Sequence, residues 1–541
     1  MKRILRTYWP LVLLIIVAGI LRFINLDRLP FGFHTDELSA GYIGRYIFLH
    51  KGFDIQGHRF PLYYDAFGDF RPIGIFLLSG LSTFIFGVNE FAVRFPSAFF
   101  GALTVIPLYF LCERLLRNRT VSTLACLFLA VSPWHIVLSR ATSEGVIGLF
   151  FLLSGLMCLF YYIDTHTPSA VYLGAFCFLI SYLLYHTFRV FIPIIIFPLY
   201  FHPKITFRQK NSIAILFSLF LCLTALVSFT NFGTGRFKQV MFVSSPQIQN
   251  ITQKFIQGEG PNNALKARIF HNKPVIYTRE FLRLYSEYFS PSYLFSKGGL
   301  PNRYAVPDTG LFPWIFTIFF GIGLVVLVTN HTFAHNFIIY FMLVSPLPAA
   351  ITYEDTPNIN RAICFMIPLI IISAVGLGKL ANYLLMKKIH YRILSCIIVI
   401  FMAEIIYFWH QYSIHEKDYS SFWRNDMYRE MMQKIAAVHT SYDTVYVSHY
   451  NSIPLYYLFY TNSFVNTSPN IFTPDGINKQ LGNIRFVDAE CPAEVSKYVI
   501  QGENALYVNK GDCPKNTQFT IIEIMRQHDG ARAFQFAVKK N

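Results

Sequence analysis

Charge is what this sequence has little of. Lys, Arg, Asp and Glu make up 14% of its 541 residues, whereas a soluble globular domain carries about 25%. Hydrophobic residues reach 54% and aromatic residues 17%. Such a composition excludes a disordered chain, a coiled coil and a compact cytosolic enzyme. It predicts an α-helical polytopic membrane protein.

Cysteine pairs, repeats and acidic residues are scarce as well. The nine cysteines are scattered without a Cys-x-x-Cys pair, which argues against structural zinc. No internal repeat of the kind found in many transporters is present. The 46 basic residues outnumber the 30 acidic ones, giving a net charge of +16. In a membrane chain this excess is explained first by the positive-inside rule, so nucleic acid is not an expected partner.

Long apolar runs dominate the first three quarters of the chain. A helix needs about 20 apolar residues to cross a bilayer. Eleven segments are predicted to do so: 8–24, 95–113, 121–138, 146–163, 169–187, 188–202, 211–230, 310–329, 336–352, 362–382 and 391–410. The first follows the basic MKRILR and lacks a small-residue cleavage site, so it is expected to be an anchor rather than a removed signal peptide.

The basic loops orient these spans. With the N-terminus in the cytoplasm, the loops RLLRNR (114–119), KITFRQK (204–210) and KKIHYR (387–392) all fall on the cytoplasmic side of a cell membrane. Counting the apolar stretch 72–87 as a span would invert every later loop. It is therefore predicted to be a helix lying at the outer surface.

Three polar regions then face outward, namely 25–94, 231–309 and 411–541. The first two belong to a transmembrane domain, 1–410, and the third reads as a small extracytoplasmic α/β domain because runs such as DTVYVSHY alternate. Its only cysteines, Cys491 and Cys513, would face an oxidising compartment, where a disulfide is plausible. The 231–309 loop has ten basic and four acidic residues. It suits membrane lipid headgroups or a lipid phosphate, the alternative being an ordinary interfacial loop.

Charged residues gather at the outer ends of the spans, where they mark function by default. Asp36 and Glu37 are adjacent in FGFHTDEL and suit a general base or a metal ligand. The alternative is helix capping, with Asp36 at the N-cap and Glu37 in the first turn. Taken singly, the other charges are more often interfacial anchors, but their shared side predicts a polar cavity that opens outward. They are Asp65, Asp69, Arg71, Arg140, Glu144, His186, Arg189, Glu354, Asp355 and Arg361.

The phrases HTDEL, GDFRPIGIF and FGVNEFAVRFPSA follow one another between residues 34 and 98. In that order they resemble the N-terminal signature of the GT-C glycosyltransferases, in particular the protein O-mannosyltransferase and lipid A aminoarabinose transferase branch. LSRATSEG and TPNINRAICFMIP resemble later outer turns of that family, so the resemblance covers roughly 1–410. Two positions depart from it: Arg71-Pro72-Ile73 replaces Lys-Pro-Pro or His-Pro-Pro, and Glu144 replaces Asp.

The resemblance implies a GT-C fold and an inverting transfer of a hexose or pentose. The sugar moves from a polyprenyl-phosphate donor to a hydroxyl of a lipid, glycan or protein on the outer face. Asp36 aligns with the family's aspartate and would act as general base, while Glu37 would orient it or bind the acceptor. Cations would stabilise the departing lipid phosphate. The candidates are Arg71 first, then Arg361 and Arg140, then Arg189 and His186.

Glu144 and Asp69 are candidates for contact with the acceptor. Glu144 could instead share a divalent ion with Asp36. Metal dependence varies across the superfamily, so the resemblance requires no cofactor and leaves a divalent cation open.

Two other classes compete with this interpretation. A flippase or transporter of lipid-linked saccharides would need polar residues on both sides of the bundle and near the midplane, yet the cytoplasmic loops are short and chemically plain. A protein resembling an O-antigen polymerase or ligase would suit the basic 231–309 loop, but the Asp36-Glu37 pair argues against it. A non-enzymatic receptor fits least well.

Overall fold

The computed structural model describes residues 2–66, 69–230, 241–260, 262–386, 390–448, 453–464, 472–473, 476–477, 480–495 and 503–540. The chain divides into two compact units. The first comprises Met1–Ile24, Ser97–Ser139 and Ser143–Gln411, and the second Asn25–Pro96, Arg140–Thr142 and Tyr412–Asn541. Residues 25–96 were predicted to belong to the transmembrane domain, but in the structure they share a unit with the C-terminal residues.

The first unit is a bundle of apolar helices. Where a helix begins, a polar side chain often accepts a hydrogen bond from its first free backbone N–H groups, as Asn118, Ser143 and Thr332 do. The long helices are Lys2–Phe23, Glu90–Leu103 (which continues from the second unit), Val105–Leu116, Arg119–Val131, Pro133–Arg140, Glu144–Thr165, Pro168–Leu184, His186–Ile196, Phe207–Ser228, Phe316–Thr329, Phe333–Val344, Met366–Leu385 and His390–His410.

The eleven predicted spans all coincide with apolar helices. Among the described residues, six helices are long and apolar enough to cross a membrane, and the pair Arg119–Val131 and Pro133–Arg140, bent by 51°, makes a seventh. The other four predicted spans are shorter apolar helices: Tyr8–Phe23, Pro168–Leu184, His186–Phe201 and Phe316–Thr329. The prediction of a polytopic helical membrane protein is confirmed, and the count of eleven stays a prediction.

Two of the helices approach so closely that only glycine fits between them. A Cβ on Gly323 would lie 1.9 Å from the Ile372 carbonyl oxygen, and one on Gly376 would lie 1.8 Å from the Phe319 carbonyl oxygen. Helices Phe316–Thr329 and Met366–Leu385 therefore pack backbone against backbone, the arrangement that small residues allow in membrane bundles.

Three further helices of the first unit belong to the predicted outer loop: Pro246–Gly258, Ala264–Phe270 and Lys273–Glu287. Ile248 of the first helix and Ile276 and Leu284 of the third form a small core with Phe242. Of that loop's basic residues, Arg236 and Lys238 lie outside the described residues.

The second unit contains the first outer region and the C-terminal residues. In the outer region, helix Thr35–Leu49 packs against helix Gly74–Phe86. The second of these helices corresponds to the segment 72–87 that was predicted to form a surface helix. Strands Tyr63–Ala66 and Asp69–Pro72 pair antiparallel, with Tyr64 opposite Arg71.

The C-terminal residues form the predicted α/β fold. Strand Thr444–Ser448 runs parallel to both of its neighbours, Ile484–Val487 and Ala505–Lys510. Antiparallel strands Gln480–Leu481, Arg532–Lys539 and Phe519–Arg526 complete a six-stranded sheet. Helices Tyr428–Val438 and Ile453–Tyr460 belong to the same unit. Cys491 and Cys513 form the disulfide that the sequence allowed.

Candidate functional site

Asp36 lies in the first turn of helix Thr35–Leu49 and faces Arg71 on strand Asp69–Pro72. Arg71 Nη1 lies 3.3 Å from Asp36 Oδ1. About a third of the Asp36 side chain is exposed, whereas 13% of the Arg71 side chain is exposed. The helix is capped by His34, whose Nδ1 accepts a hydrogen bond from the Asp36 N–H at 3.1 Å. The alternative that Asp36 is the N-cap is therefore wrong. The accessible carboxylate is paired with a cation instead.

Glu37, the next residue, points into the protein. Its side chain is 4% exposed, and its Oε2 lies 3.0 Å from Arg94 and 3.2 Å from Arg424. Burial alone would raise the pKa of Glu37, but the charges of Arg94 and Arg424 and the hydrogen bonds from Arg94 and the Thr142 N–H outweigh it. The pKa is lowered to about 2. These contacts make Glu37 a buried, ionised anchor of the helix that carries Asp36.

Sequence reasoning missed Arg94 and Arg424. Arg94 had a signal, because a charge inside an apolar helix needs a partner. No pattern near Arg424 in the sequence indicates its role, because its carboxylate partner Glu37 is distant in sequence.

Arg140 is also fully buried in the second unit. Its Nη2 donates to the carbonyl oxygen of Leu29 at 3.3 Å and to that of Asn25 at 3.5 Å, and its guanidinium lies 5.6 Å from the centre of the Tyr412 ring. These contacts hold backbone together. The predicted phosphate-binding role of Arg140 stays a prediction.

The first unit contains a cavity of about 150 Å³ that brings together three of the predicted phosphate-binding residues, His186, Arg189 and Arg361. Thr187, Thr224, Ser228, Thr352 and Tyr185 add polar groups to its wall. The rest of the lining is apolar: Val190, Val227, Met241, Pro348 and Ile351. Two guanidinium groups and an imidazole therefore share one cavity with apolar side chains.

The cations of this cavity are fixed by neighbouring groups. Arg189 donates from Nε to the Tyr182 carbonyl oxygen at 3.1 Å, and its Nη1 lies 3.0 Å from His186 Nδ1. Arg361 donates from Nη2 to the Glu354 carboxylate at 2.7 Å and from Nη1 to the Thr352 hydroxyl at 3.0 Å. Such preorganised donors suit an anion because little reordering accompanies binding.

The turn that carries Arg361 is tied to the one that precedes Glu144. Asn358 Oδ1 accepts from the N–H groups of Asn360 and Arg361, and the Ser143 hydroxyl donates to Asn360 Oδ1 at 2.9 Å. Glu144 begins the next helix and is buried.

Asp69 lies on its strand, but its side chain is outside the described part of the structure. Among the described side chains, no three His, Cys, Asp or Glu residues are grouped so as to hold a metal ion.

Comparison with known proteins gives a family match over part of the chain. Residues 70–230 match the family described as dolichyl-phosphate-mannose-protein mannosyltransferase. The match includes Arg71, Arg140, Glu144, His186 and Arg189, but it begins after Asp36.

Similar curated proteins align over short stretches. An undecaprenyl phosphate-alpha-4-amino-4-deoxy-L-arabinose arabinosyl transferase of Yersinia enterocolitica is 33% identical over 100 residues, which are 18% of each chain. The Yersinia pestis protein of that name is 42% identical over 57 residues, 10% of each chain. The aligned part thus spans less than a fifth of these relatives.

Solved structures align over nearly the whole chain. ArnT from Cupriavidus metallidurans, bound to undecaprenyl phosphate, has a TM-score of 0.56 at 13% identity and covers 98% of both chains. The apo oligosaccharyltransferase of Archaeoglobus fulgidus has a TM-score of 0.53 at 12% identity, covering 93% of this chain and 70% of its own. The predicted resemblance is confirmed, and the chain is a membrane protein with the fold of the GT-C glycosyltransferases.

Proposed function

We propose that this protein is an inverting glycosyltransferase that moves a hexose or pentose from a polyprenyl-phosphate donor to an acceptor hydroxyl. The observation that carries the proposal is the cavity whose lining combines His186, Arg189 and Arg361 with apolar side chains. A polyprenyl phosphate has an anionic phosphate head, which suits the cationic residues, and an apolar chain, which suits the apolar residues. The related arabinosyl transferases are named for an undecaprenyl phosphate donor, which supports the same class of lipid here.

The cations serve the departure of the sugar. The lipid phosphate gains negative charge as the bond to the anomeric carbon breaks, so a fixed guanidinium stabilises the transition state more than the bound donor. Arg189 and Arg361 are held by a backbone carbonyl and by a carboxylate, respectively, before any ligand arrives.

Asp36 is proposed as the general base. A hydroxyl is too weakly acidic to ionise before attack, so a carboxylate must take its proton as the new bond forms. Asp36 offers an accessible carboxylate oxygen, while Arg71 fixes its orientation at 3.3 Å. Arg71 remains a second candidate for the donor phosphate. Glu144 and Asp69 remain candidates for contact with the acceptor.

The reaction is proposed to take place at the outer face of the cell membrane. This follows from the basic loops, which place the N-terminus in the cytoplasm and residues 411–541 outside. The acceptor, whether lipid, glycan or protein, then approaches from the extracytoplasmic side. No step of this scheme requires a metal ion.

Donor binding tests the cavity. Purified protein in nanodiscs is titrated with undecaprenyl phosphate, alongside the variants Arg189→Gln and Arg361→Gln. Each variant is expected to weaken binding about 10- to 150-fold, because a hydrogen bond to a charged group contributes about 1.5–3 kcal/mol. Arg119→Gln is the matched control, since Arg119 belongs to the same unit, pairs with Glu113 at 3.0 Å and lies in a predicted cytoplasmic loop. Equal affinity in all four proteins would place the lipid elsewhere.

Transfer itself is measured with radiolabelled polyprenyl-phosphate hexoses and pentoses and a panel of hydroxyl acceptors. Labelled product is the expected result. Movement of the labelled lipid between leaflets without any transfer would contradict the proposal and favour a flippase. Mass spectrometry of the lipid that co-purifies with the protein identifies which donor to use first.

A further inference from the structure

The backbone just before Asp36 is held by residues of the C-terminal stretch. The Phe31 N–H donates to Glu416 Oε2 at 3.2 Å, and the Phe31 carbonyl oxygen accepts from Arg424 Nε at 2.8 Å. Gly32 follows with a φ of +73°, and a Cβ there would lie 2.5 Å from the Arg424 carbonyl oxygen. The loop therefore lies directly against the backbone of Arg424, in a conformation that favours glycine.

The same stretch also binds the residues next to Asp36. Tyr456 donates its hydroxyl to the Phe33 carbonyl oxygen at 2.5 Å. Asn425 donates from Nδ2 to the Thr35 hydroxyl at 3.0 Å and to the Tyr456 hydroxyl at 2.7 Å. The contacts therefore reach the residue immediately before the proposed base.

Arg424 completes the arrangement on the other side of Asp36. Its Nη2 lies 3.2–3.3 Å from both carboxylate oxygens of Glu37. Arg424 and Tyr456 are essentially buried, so these bonds form where water does not compete.

We infer that Arg424, Asn425 and Tyr456 are positioning residues that set the geometry of Asp36. The C-terminal residues then support the loop 31–35 that precedes Asp36, and their role is not limited to recruiting the acceptor. This inference rests on the proposed function, because Asp36 needs a fixed position only if it takes a proton. A carboxylate displaced by about 1 Å can lose about 100-fold in rate.

Two variants test it, with kcat taken per folded molecule because Asn425 has a left-handed φ of 54° that alanine disfavours. Tyr456→Phe removes the hydroxyl that holds Phe33, and Asn425→Ala removes the amide that holds Thr35. Each is expected to lower kcat about 10- to 100-fold while KM for the donor and binding of undecaprenyl phosphate stay at the wild-type level. Tyr457→Phe is the matched control on the same helix, because the Tyr457 hydroxyl has no hydrogen bond within the part of the chain that the structure describes. It should leave kcat unchanged.

Arg424 separates positioning from simple stability. Arg424→Gln removes the charge opposite Glu37, whereas Arg424→Lys keeps it. Arg424→Lys is expected to retain part of the kcat per folded molecule that Arg424→Gln loses. If kcat per folded molecule is unchanged in Tyr456→Phe, Asn425→Ala and Arg424→Gln, the inference is wrong, even if their Tm falls.

A readout without activity keeps the two proposals apart. Hydrogen exchange of the peptide 31–40 should accelerate in Tyr456→Phe and not in Tyr457→Phe. A wild-type protein that transfers sugar, together with variants that match it in both kcat and exchange, overturns the positioning role alone. A wild-type protein without transfer overturns the proposed function, and the exchange rates then still show whether the C-terminal residues fix the loop.

Discussion

Asp36 and Arg71 form an ion pair at 3.3 Å although they lie on different elements, a helix and a strand. The strand belongs to a hairpin in which Arg71 is opposite Tyr64, and the Arg71 guanidinium lies beside the first turn of the helix. A motif that is dispersed along the sequence thus becomes one local arrangement of a base and a cation.

Asp36→Asn should abolish sugar transfer while the protein stays folded. We expect kcat to fall about 10²- to 10⁴-fold, the range typical of a lost general base. Binding of undecaprenyl phosphate should stay within about twofold, since a change of one unit of charge at a partly exposed pair has a small effect on ligands bound elsewhere. Transfer assays and lipid titrations on the same preparation measure both.

Asp27→Asn is the control for this variant. Asp27 belongs to the same outer region and pairs with the exposed Arg28 at 3.6 Å, so its substitution should leave kcat unchanged. Near-normal turnover of Asp36→Asn would show that another group takes the proton.

Glu37 should make stability depend on pH. Its pKa is about 2 in the folded protein and 4.5 in the reference state. A lowered pKa stabilises the fold above about pH 4.5, and that stabilisation is lost as the pH falls toward 2. The difference corresponds to roughly 3 kcal/mol. Glu37→Gln should therefore have a much lower Tm than the wild type at pH 7, and the gap should narrow between pH 5 and pH 3.

Glu113→Gln provides the comparison, because Glu113 pairs with the largely exposed Arg119. Its Tm should differ little from the wild type, with a gap that does not change as the pH is lowered. A gap for Glu37→Gln that stays constant with pH would mean that Glu37 is not a buried carboxylate anchor.

Arg140 and Arg361 should respond in opposite ways to the same substitution. Arg140 holds backbone carbonyl groups in the interior, and an unsatisfied buried carbonyl costs about 1–3 kcal/mol. Arg140→Gln should thus lower Tm and leave donor binding per folded molecule unchanged. Arg361→Gln should weaken binding of undecaprenyl phosphate with a smaller change in Tm. Weakened binding in Arg140→Gln at an unchanged Tm would instead support the phosphate role predicted from its sequence position.

Much of this site follows from local sequence, and the rest follows from contacts that local sequence does not encode. The motifs that contain Asp36 and Arg71 are short and occur in a fixed order, so they can be recognised from the sequence. The predicted outer position of His186, Arg189 and Arg361 follows from counting spans. The partners of Glu37 could not be predicted in the same way. Arg424 meets it through tertiary packing, and neither periodicity nor turn chemistry indicates which distant side chain fills a buried position. The predicted boundary after residue 410 lies next to the division after Gln411, but the grouping of residues 25–96 with 412–541 depends on such distant contacts and was not predicted.

The disulfide tests both the stability of the second unit and the proposed topology. Cys491 and Cys513 are 22 residues apart, and closing a loop of that length stabilises a fold by about 3 kcal/mol in the chain-entropy account. The double variant Cys491→Ser, Cys513→Ser should lower the Tm of the second unit accordingly. Cys222→Ser, a control at an exposed free cysteine, should not.

The same cysteines report on which side of the membrane the C-terminal residues lie. A disulfide persists in an oxidising compartment and is reduced in the cytosol. In intact cells, a membrane-impermeant maleimide should therefore label Cys491 and Cys513 only after an impermeant reductant has been added. Labelling that requires permeabilised cells would place residues 411–541 in the cytoplasm. Because the basic loops fix every span relative to the next, that result would reverse the whole orientation and move the proposed base to the cytoplasmic face.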